Sequence, residues 1–122
     1  MANILIVEDD PNAAEFVREF LQDEGFVCES TAVHERVFEL VGQKWPDLIL
    51  MDSILVGYPL QGWEIAQRIK ADPATTGIPI IGLSGKDGAG GDPLRMASDT
   101  FLAKPYDPFV LLETIQKFLG AS

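Results

Sequence analysis

One cysteine, Cys28, stands among 122 residues, so no internal disulfide can form and nothing implies an oxidising compartment. It lies in an apolar-alternating stretch and reads as a buried structural thiol. Long apolar runs are missing as well, and none approaches the ~18 residues of a membrane span. Met1-Ala2-Asn3 leads into only four apolar residues before a block of acids, which is not a signal-peptide pattern. A cytoplasmic location is expected, with no membrane partner. Bases are scarce: nine Lys and Arg face 19 Asp and Glu, for a net charge of -10. Bare nucleic acid needs a basic footprint and is therefore not an expected partner. The single histidine, His34, reads as a solvated or edge residue without a catalytic role.

What is present is the composition of one globular domain, 47% hydrophobic and 23% charged. A chain of this length buries roughly 65% of its unfolded surface, enough for one core and no second. The charge is lopsided: residues 1–64 carry 13 acids and 3 bases, whereas residues 65–122 carry 6 of each.

The apolar period switches repeatedly. Ile4-Leu5-Ile6-Val7 is a continuous β-branched run ended by acids, as expected of a strand buried on both faces. Asp10 then suits a helix cap and Pro11 a first helical position. Ala13, Phe16, Val17, Phe20 and Leu21 follow at helical spacing, and Gly25 marks the stop. Phe26 to Ser30 predicts a second strand, and Val33, Val37, Leu40 and Val41 a second helix ending near Gly42. Leu48-Ile49-Leu50-Met51 is another apolar strand, ended by Asp52. Gly62, Ile65, Ala66 and Ile69 predict a third helix, Ile78 to Leu83 a fourth strand, and Phe101-Leu102-Ala103 a short fifth ended by Lys104. Pro108 opens a final helix with Leu111, Leu112, Ile115, Phe118 and Leu119 on its apolar face. Five strands alternating with about five helices predict an α/β, doubly wound parallel sheet covered on both sides.

In such sheets ligands bind beyond the carboxyl ends of the strands. Glu8-Asp9-Asp10, Asp52, Ser84 and Lys104 stand at those ends. Clustered carboxylates resist ionising unless a cation joins them, and hard oxygen ligands suit Mg²⁺. With a lysine opposite, the residues point to a Mg²⁺-dependent phosphoryl site with an aspartate nucleophile available. Asp10 is assigned to capping.

Ile4-Leu5-Ile6-Val7-Glu8-Asp9-Asp10-Pro11, Asp47 to Asp52, Ile80-Ile81-Gly82-Leu83-Ser84-Gly85 and Lys104-Pro105 together resemble the receiver domains of two-component response regulators. The resemblance spans essentially the whole chain, residues 1–122. It implies a flavodoxin-like sheet of order 2-1-3-4-5. It further implies that Asp52 accepts a phosphoryl group from a histidine kinase or histidine phosphotransfer protein. Glu8 and Asp9 match the acidic pair that holds Mg²⁺, with Asp52 and the backbone carbonyl of Ile54 completing the site. Ser84 and Lys104 match the groups that engage the phosphoryl oxygens, and the bond from Lys104 to Pro105 is implied to be cis. Phe101 falls at the aromatic switch position that moves with Ser84. Output through an unknown downstream protein is implied to use the fourth helix, fifth strand and fifth helix of the family, in a monomer or weak dimer that is not an enzyme acting on other molecules.

Two stretches depart from the family. Ser53 to Gln61 places the matching glycine at Gly62, ten positions after Asp52 and two later than usual. Gly85 to Pro93 is glycine-rich where the family begins its fourth helix; a mobile loop is expected, with at most a short helix from Pro93 to Ser98. Lys86 and Ile54 match positions that control access of attacking water. The competing readings are a pseudo-receiver that binds proteins without phosphorylation, and a receiver cut from a larger regulator or hybrid kinase. An aspartate-nucleophile phosphatase would need an acid where Ile54 stands. A flavin-binding protein would need a Ser/Thr-rich phosphate loop where the acids stand after the first strand.

Overall fold

The computed structural model describes residues 2–85 and 97–120. In chain order it contains β1 (Asn3–Val7), α1 (Pro11–Asp23), β2 (Val27–Thr31), α2 (His34–Gly42), β3 (Leu48–Asp52), α3 (Gly62–Ala71), β4 (Ile80–Ser84), β5 (Thr100–Ala103) and α4 (Pro108–Leu119). All neighbouring strands pair in parallel, in the order β2-β1-β3-β4-β5. Four helices lie among the described residues, against about five expected. The glycine-rich stretch after Gly85, Lys86 and all but the last two residues of the short helix expected at 93–98 lie outside the described residues.

Alternation along each strand decides which helices it meets. Leu5, Val7, Ile49, Met51 and Ile80 pack with Val37 and Leu40 of α2 and Ile65 and Ile69 of α3. Ile4, Ile6, Leu48, Leu50, Ile81 and Leu83 pack on the opposite face with Val17 and Leu21 of α1 and Leu111 and Ile115 of α4. β1, β3 and β4 are therefore buried on both faces, which is why their sequences are unbroken apolar runs and not alternating ones. Fully burying a side chain such as Leu50 or Ile65 contributes roughly 1.5–3 kcal/mol.

Three local expectations shift. β4 begins at Ile80 and not Ile78, because Pro79 has no N–H to give the ladder; its carbonyl instead accepts from Ile49 N–H at 2.9 Å. β2 runs one residue later than expected, from Val27 to Thr31. On α1, Phe16 is 58% exposed and not part of the core stripe, which is Ala14, Val17 and Leu21. Phe20, one turn after Phe16, turns toward α4 and meets the Phe109 ring edge-on at 5.5 Å.

Candidate functional site

β1 lies between β2 and β3, so chain connections leave it in opposite directions and a crevice opens beyond the ends of β1 and β3. Glu8 and Asp9 follow β1 directly, and Asp52 is the last residue of β3. Each offers one carboxylate oxygen to a common point, these oxygens lying within 4.8 Å of one another. Lys104 enters from the end of β5. Its Nζ stands 3.1 Å from Glu8 Oε2 and 3.2 Å from Asp52 Oδ1. The peptide bond from Lys104 to Pro105 is cis.

Backbone bonds hold these side chains in place. Glu8 Oε1 accepts from Asp10 N–H at 3.2 Å, while Asp10 Oδ1 accepts from Asn12 and Ala13 at the start of α1. Asp10 thus caps the helix and lies outside the carboxylate cluster. Asp9 Oδ2 accepts from Val56 N–H at 2.9 Å, across the crevice. Ser84, 3% exposed, ends β4; its carbonyl accepts from Lys104 N–H at 2.6 Å and its Oγ donates to the Gly85 carbonyl at 3.3 Å. The sheet register therefore sets Ser84 beside Ala103, immediately before Lys104.

Asp52 is 7% exposed. Burial first, and then the neighbouring Glu8 carboxylate, push its carboxyl up to about 7, and Lys104 only partly offsets them. For Lys104, burial disfavours the ammonium, but attraction to Asp52 and Glu8 outweighs it and the pKa is raised. Three acids with one ammonium leave the site short of positive charge. The donors are all hard oxygens, within a span one small divalent cation could bridge, so the residues present fit Mg²⁺.

Gly62 explains how the longer loop closes. Its N–H donates to the Ser53 carbonyl at 3.0 Å, and a Cβ placed there would lie 1.6 Å from the Asp52 carbonyl oxygen. Only glycine lets α3 begin this close to the residue that carries the central carboxylate. Ile54 stands in the same loop with its side chain 55% exposed, between Ser53, whose N–H donates to Leu83, and Leu55, whose N–H donates to Gln61. Phe101 is half-buried on β5, in register with Gly82. His34 opens α2, with Nδ1 3.4 Å from Glu35 and its ring against Phe38. Burial raises the half-buried Cys28 thiol to about 11, as suits a structural cysteine.

Sequence reasoning thus places Glu8, Asp9, Asp52 and Lys104 together correctly and sets Ser84 at the neighbouring strand end. It misses Val56 N–H on Asp9, Gln61 in the loop, and Tyr106, a half-buried phenol raised by burial that lines a cavity of about 470 Å³ with Glu8 and Lys104. A donor from the backbone leaves no mark in residue type, and Gln61 has no motif that would single it out.

The response regulator receiver domain family matches residues 4–116. The chain belongs to that family. Among curated relatives it is 31% identical over 118 residues to the phosphate regulon transcriptional regulatory protein PhoB of Pseudomonas aeruginosa, covering 95% of this chain and 51% of PhoB. It is 30% identical over 115 residues to the DNA-binding response regulator MtrA of Mycolicibacterium smegmatis, covering 93% of this chain and 48% of MtrA. The chain thus spans about half the length of these relatives. Among solved structures, the receiver domain of the sensor histidine kinase PA1611 from Pseudomonas aeruginosa PAO1, with a magnesium ion coordinated in its active site cleft, superposes with a TM-score of 0.86 at 26% identity, covering 98% of both chains. The response regulator TrrA from Thermotoga maritima, in complex with Mg²⁺ and BeF, gives 0.83 at 27% identity over 97% of this chain and 99% of that one. Because MtrA is named as DNA-binding, the argument from net charge against nucleic acid applies to this chain's own surface and not to longer relatives. Among the described residues no helix is long and apolar enough to cross a membrane.

Proposed function

We propose that this chain accepts a phosphoryl group on Asp52 from a phosphohistidine of a histidine kinase or phosphotransfer protein, and signals through protein contacts that depend on that group. The observation that carries the reading is the placement of Lys104 Nζ 3.2 Å from the buried Asp52 Oδ1, in a site that gathers three carboxylates. Glu8, Asp9 and Asp52, with the Ile54 carbonyl, would hold Mg²⁺. When bound, the ion supplies positive charge that ionises Asp52 and neutralises the transferred phosphoryl oxygens.

A carboxylate oxygen of Asp52 attacks phosphorus as the phosphorus–nitrogen bond of the donor breaks; the imidazole leaves and takes up a proton from solvent. Lys104, already held between Glu8 and Asp52, stabilises charge on the phosphoryl oxygens, and the Ser84 hydroxyl donates to another. The product adds about -1.5 to -2 charge beside Ser84 and Lys104, which adjoin β5. Phe101, half-buried on that strand, responds as Ser84 turns toward the phosphate, and the output surface includes β5 and α4. The chemistry is confined to the chain's own aspartate, so the protein relays a signal and turns over no separate substrate.

Incubation with acetyl phosphate and Mg²⁺, followed by intact mass measurement, tests this. One phosphoryl adduct is expected, absent with EDTA and absent in Asp52→Ala. A chain that takes up no phosphoryl mass, or an adduct that survives Asp52→Ala, overturns the proposal.

A further inference from the structure

The loop between β3 and α3 carries Ile54 at 55% and Val56 at 74% exposure, so its tip lacks the packing that usually fixes a loop. Leu55 is the exception, fully buried against the face of the sheet that α2 and α3 cover. From Leu55 the chain turns: Tyr58 N–H donates to the Leu55 carbonyl at 3.2 Å, and Gly57 takes φ +83° at the third position, as a type II turn requires.

The Gln61 side chain fills this turn from within. Its Oε1 accepts from Leu55 N–H at 2.7 Å, and its Nε2 donates to both the Leu55 and Tyr58 carbonyls at 3.1 Å. One acceptor and two donors meet one N–H and two carbonyls, so a flipped amide would set like against like at every contact. Gln61 is itself anchored: its N–H donates to Glu64 Oε1 at 2.9 Å in the first turn of α3. Between the clamped Leu55 and the turn glycine stands Val56, whose N–H reaches Asp9 Oδ2 at 2.9 Å.

We infer that Gln61 is a positioning residue for the divalent-cation site, holding the two-residue-longer loop so that Val56 N–H orients the Asp9 carboxylate. The inference rests on reading Glu8, Asp9 and Asp52 as that site. The chain of cause runs from the α3 N-terminus through the Gln61 amide to Leu55, from Leu55 to Val56, and from Val56 to Asp9. Gln61 touches no carboxylate of the cluster directly. Its contribution is to make the loop backbone a rigid outer shell for one ligand, and the same clamp fixes Ile54, the residue before Leu55. Such outer-shell partners govern metal affinity because a ligand free to rotate must be ordered when the ion binds.

Two variants separate this role from a merely structural one. Gln61→Glu keeps the size and the Oε1 acceptor but sets a carboxylate oxygen against the Leu55 and Tyr58 carbonyls, while Gln61→Ala removes all three bonds. Mg²⁺ affinity is read by titration calorimetry on the full chain, and the Val56 amide exchange rate by NMR in EDTA, with Ile49 and Leu50 of β3 as references for the fold. Both variants are expected to exchange Val56 faster and to bind Mg²⁺ about 10-fold more weakly, with the β3 amides protected as in the parent. Variants that bind Mg²⁺ as the parent does, or that keep the parent's Val56 exchange rate, overturn the positioning role while leaving the cation site intact. A parent chain that binds no Mg²⁺ overturns the cation site itself, and this inference with it.

Discussion

Replacing Asp52 by asparagine should stabilise the metal-free protein at neutral and alkaline pH. The carboxyl is 7% exposed and faces Glu8, and its pKa rises from an ordinary 3.8 to about 7. At 1.36 kcal/mol per pKa unit this is a penalty of about 4 kcal/mol on the charged form. Asparagine also leaves Lys104 with Glu8 alone, so the net gain at pH 8 should be about 2–4 kcal/mol, the upper figure being the unrelaxed limit. The sign follows from linkage. Between about pH 4 and 7 the folded chain keeps a proton that the unfolded chain has released, so the parent loses stability as pH rises through that window. The gap between Asp52→Asn and parent should therefore be full above pH 7 and shrink to near zero at about pH 4. Urea denaturation in EDTA at several pH values measures it, and adding Mg²⁺ should narrow the gap at pH 8 by stabilising the parent more than the variant. An asparagine variant equal to or less stable than the parent at pH 8 would refute the claim that burial and Glu8 strain this carboxylate.

Gly62→Ala should cost about 3 kcal/mol, because its Cβ would fall 1.6 Å from the Asp52 carbonyl oxygen and backbone must move to make room; an unchanged urea midpoint contradicts this. If Lys104 acts as proposed, on the developing phosphoryl charge and not as a ligand of the cation, Lys104→Met should slow phosphorylation by acetyl phosphate by about 10²–10³-fold while Mg²⁺ binding persists. Intact mass against time checks it, and a rate within tenfold of the parent speaks against that role for the ammonium.

Legibility in the sequence followed burial. Residues 4–7 and 48–51 announced themselves because strands covered on both faces admit only apolar side chains, and the first polar residue after each run then marks the strand end. The same logic singles out the candidate site, since Glu8, Asp9, Asp52 and Lys104, which the structure brings together, are ionisable groups placed where an apolar run stops. Helical spacing alone gives a wide stripe and does not separate Phe16 from Phe20: both share its edge, and only the position of α4 decides that Phe20 finds a partner in Phe109 while Phe16 stays exposed. The Asp9–Val56 bond joins residues 47 apart through a backbone donor, and the Gln61 clamp works on backbone groups alone. Neither depends on the residue types at its far end, so no pattern of residue types could have carried them.

The acidic bias of the first half can now be divided by cause. Glu8, Asp9 and Asp52 form the cluster, and Asp10 caps α1. Glu15 pairs with Arg18, and Arg36 spans Glu29 and Glu39. Asp47 accepts from Asn3 N–H at 2.7 Å, and Glu64 accepts from Gln61 N–H. These acids serve local structure or the site, so they do not constitute a face waiting for a basic partner. Glu35 stands in the first turn of α2, 3.4 Å from His34 Nδ1. Glu19, Asp23 and Glu24 remain, gathered toward the C-terminal end of α1 where the helix dipole disfavours negative charge and no base stands in the last turn. An acidic docking surface, if this chain uses one, is thereby confined to that end of one helix. Four of the thirteen first-half acids thus form or border a site whose electrostatics call for a cation, and the other nine lie in local pairs and turns or at that end of α1.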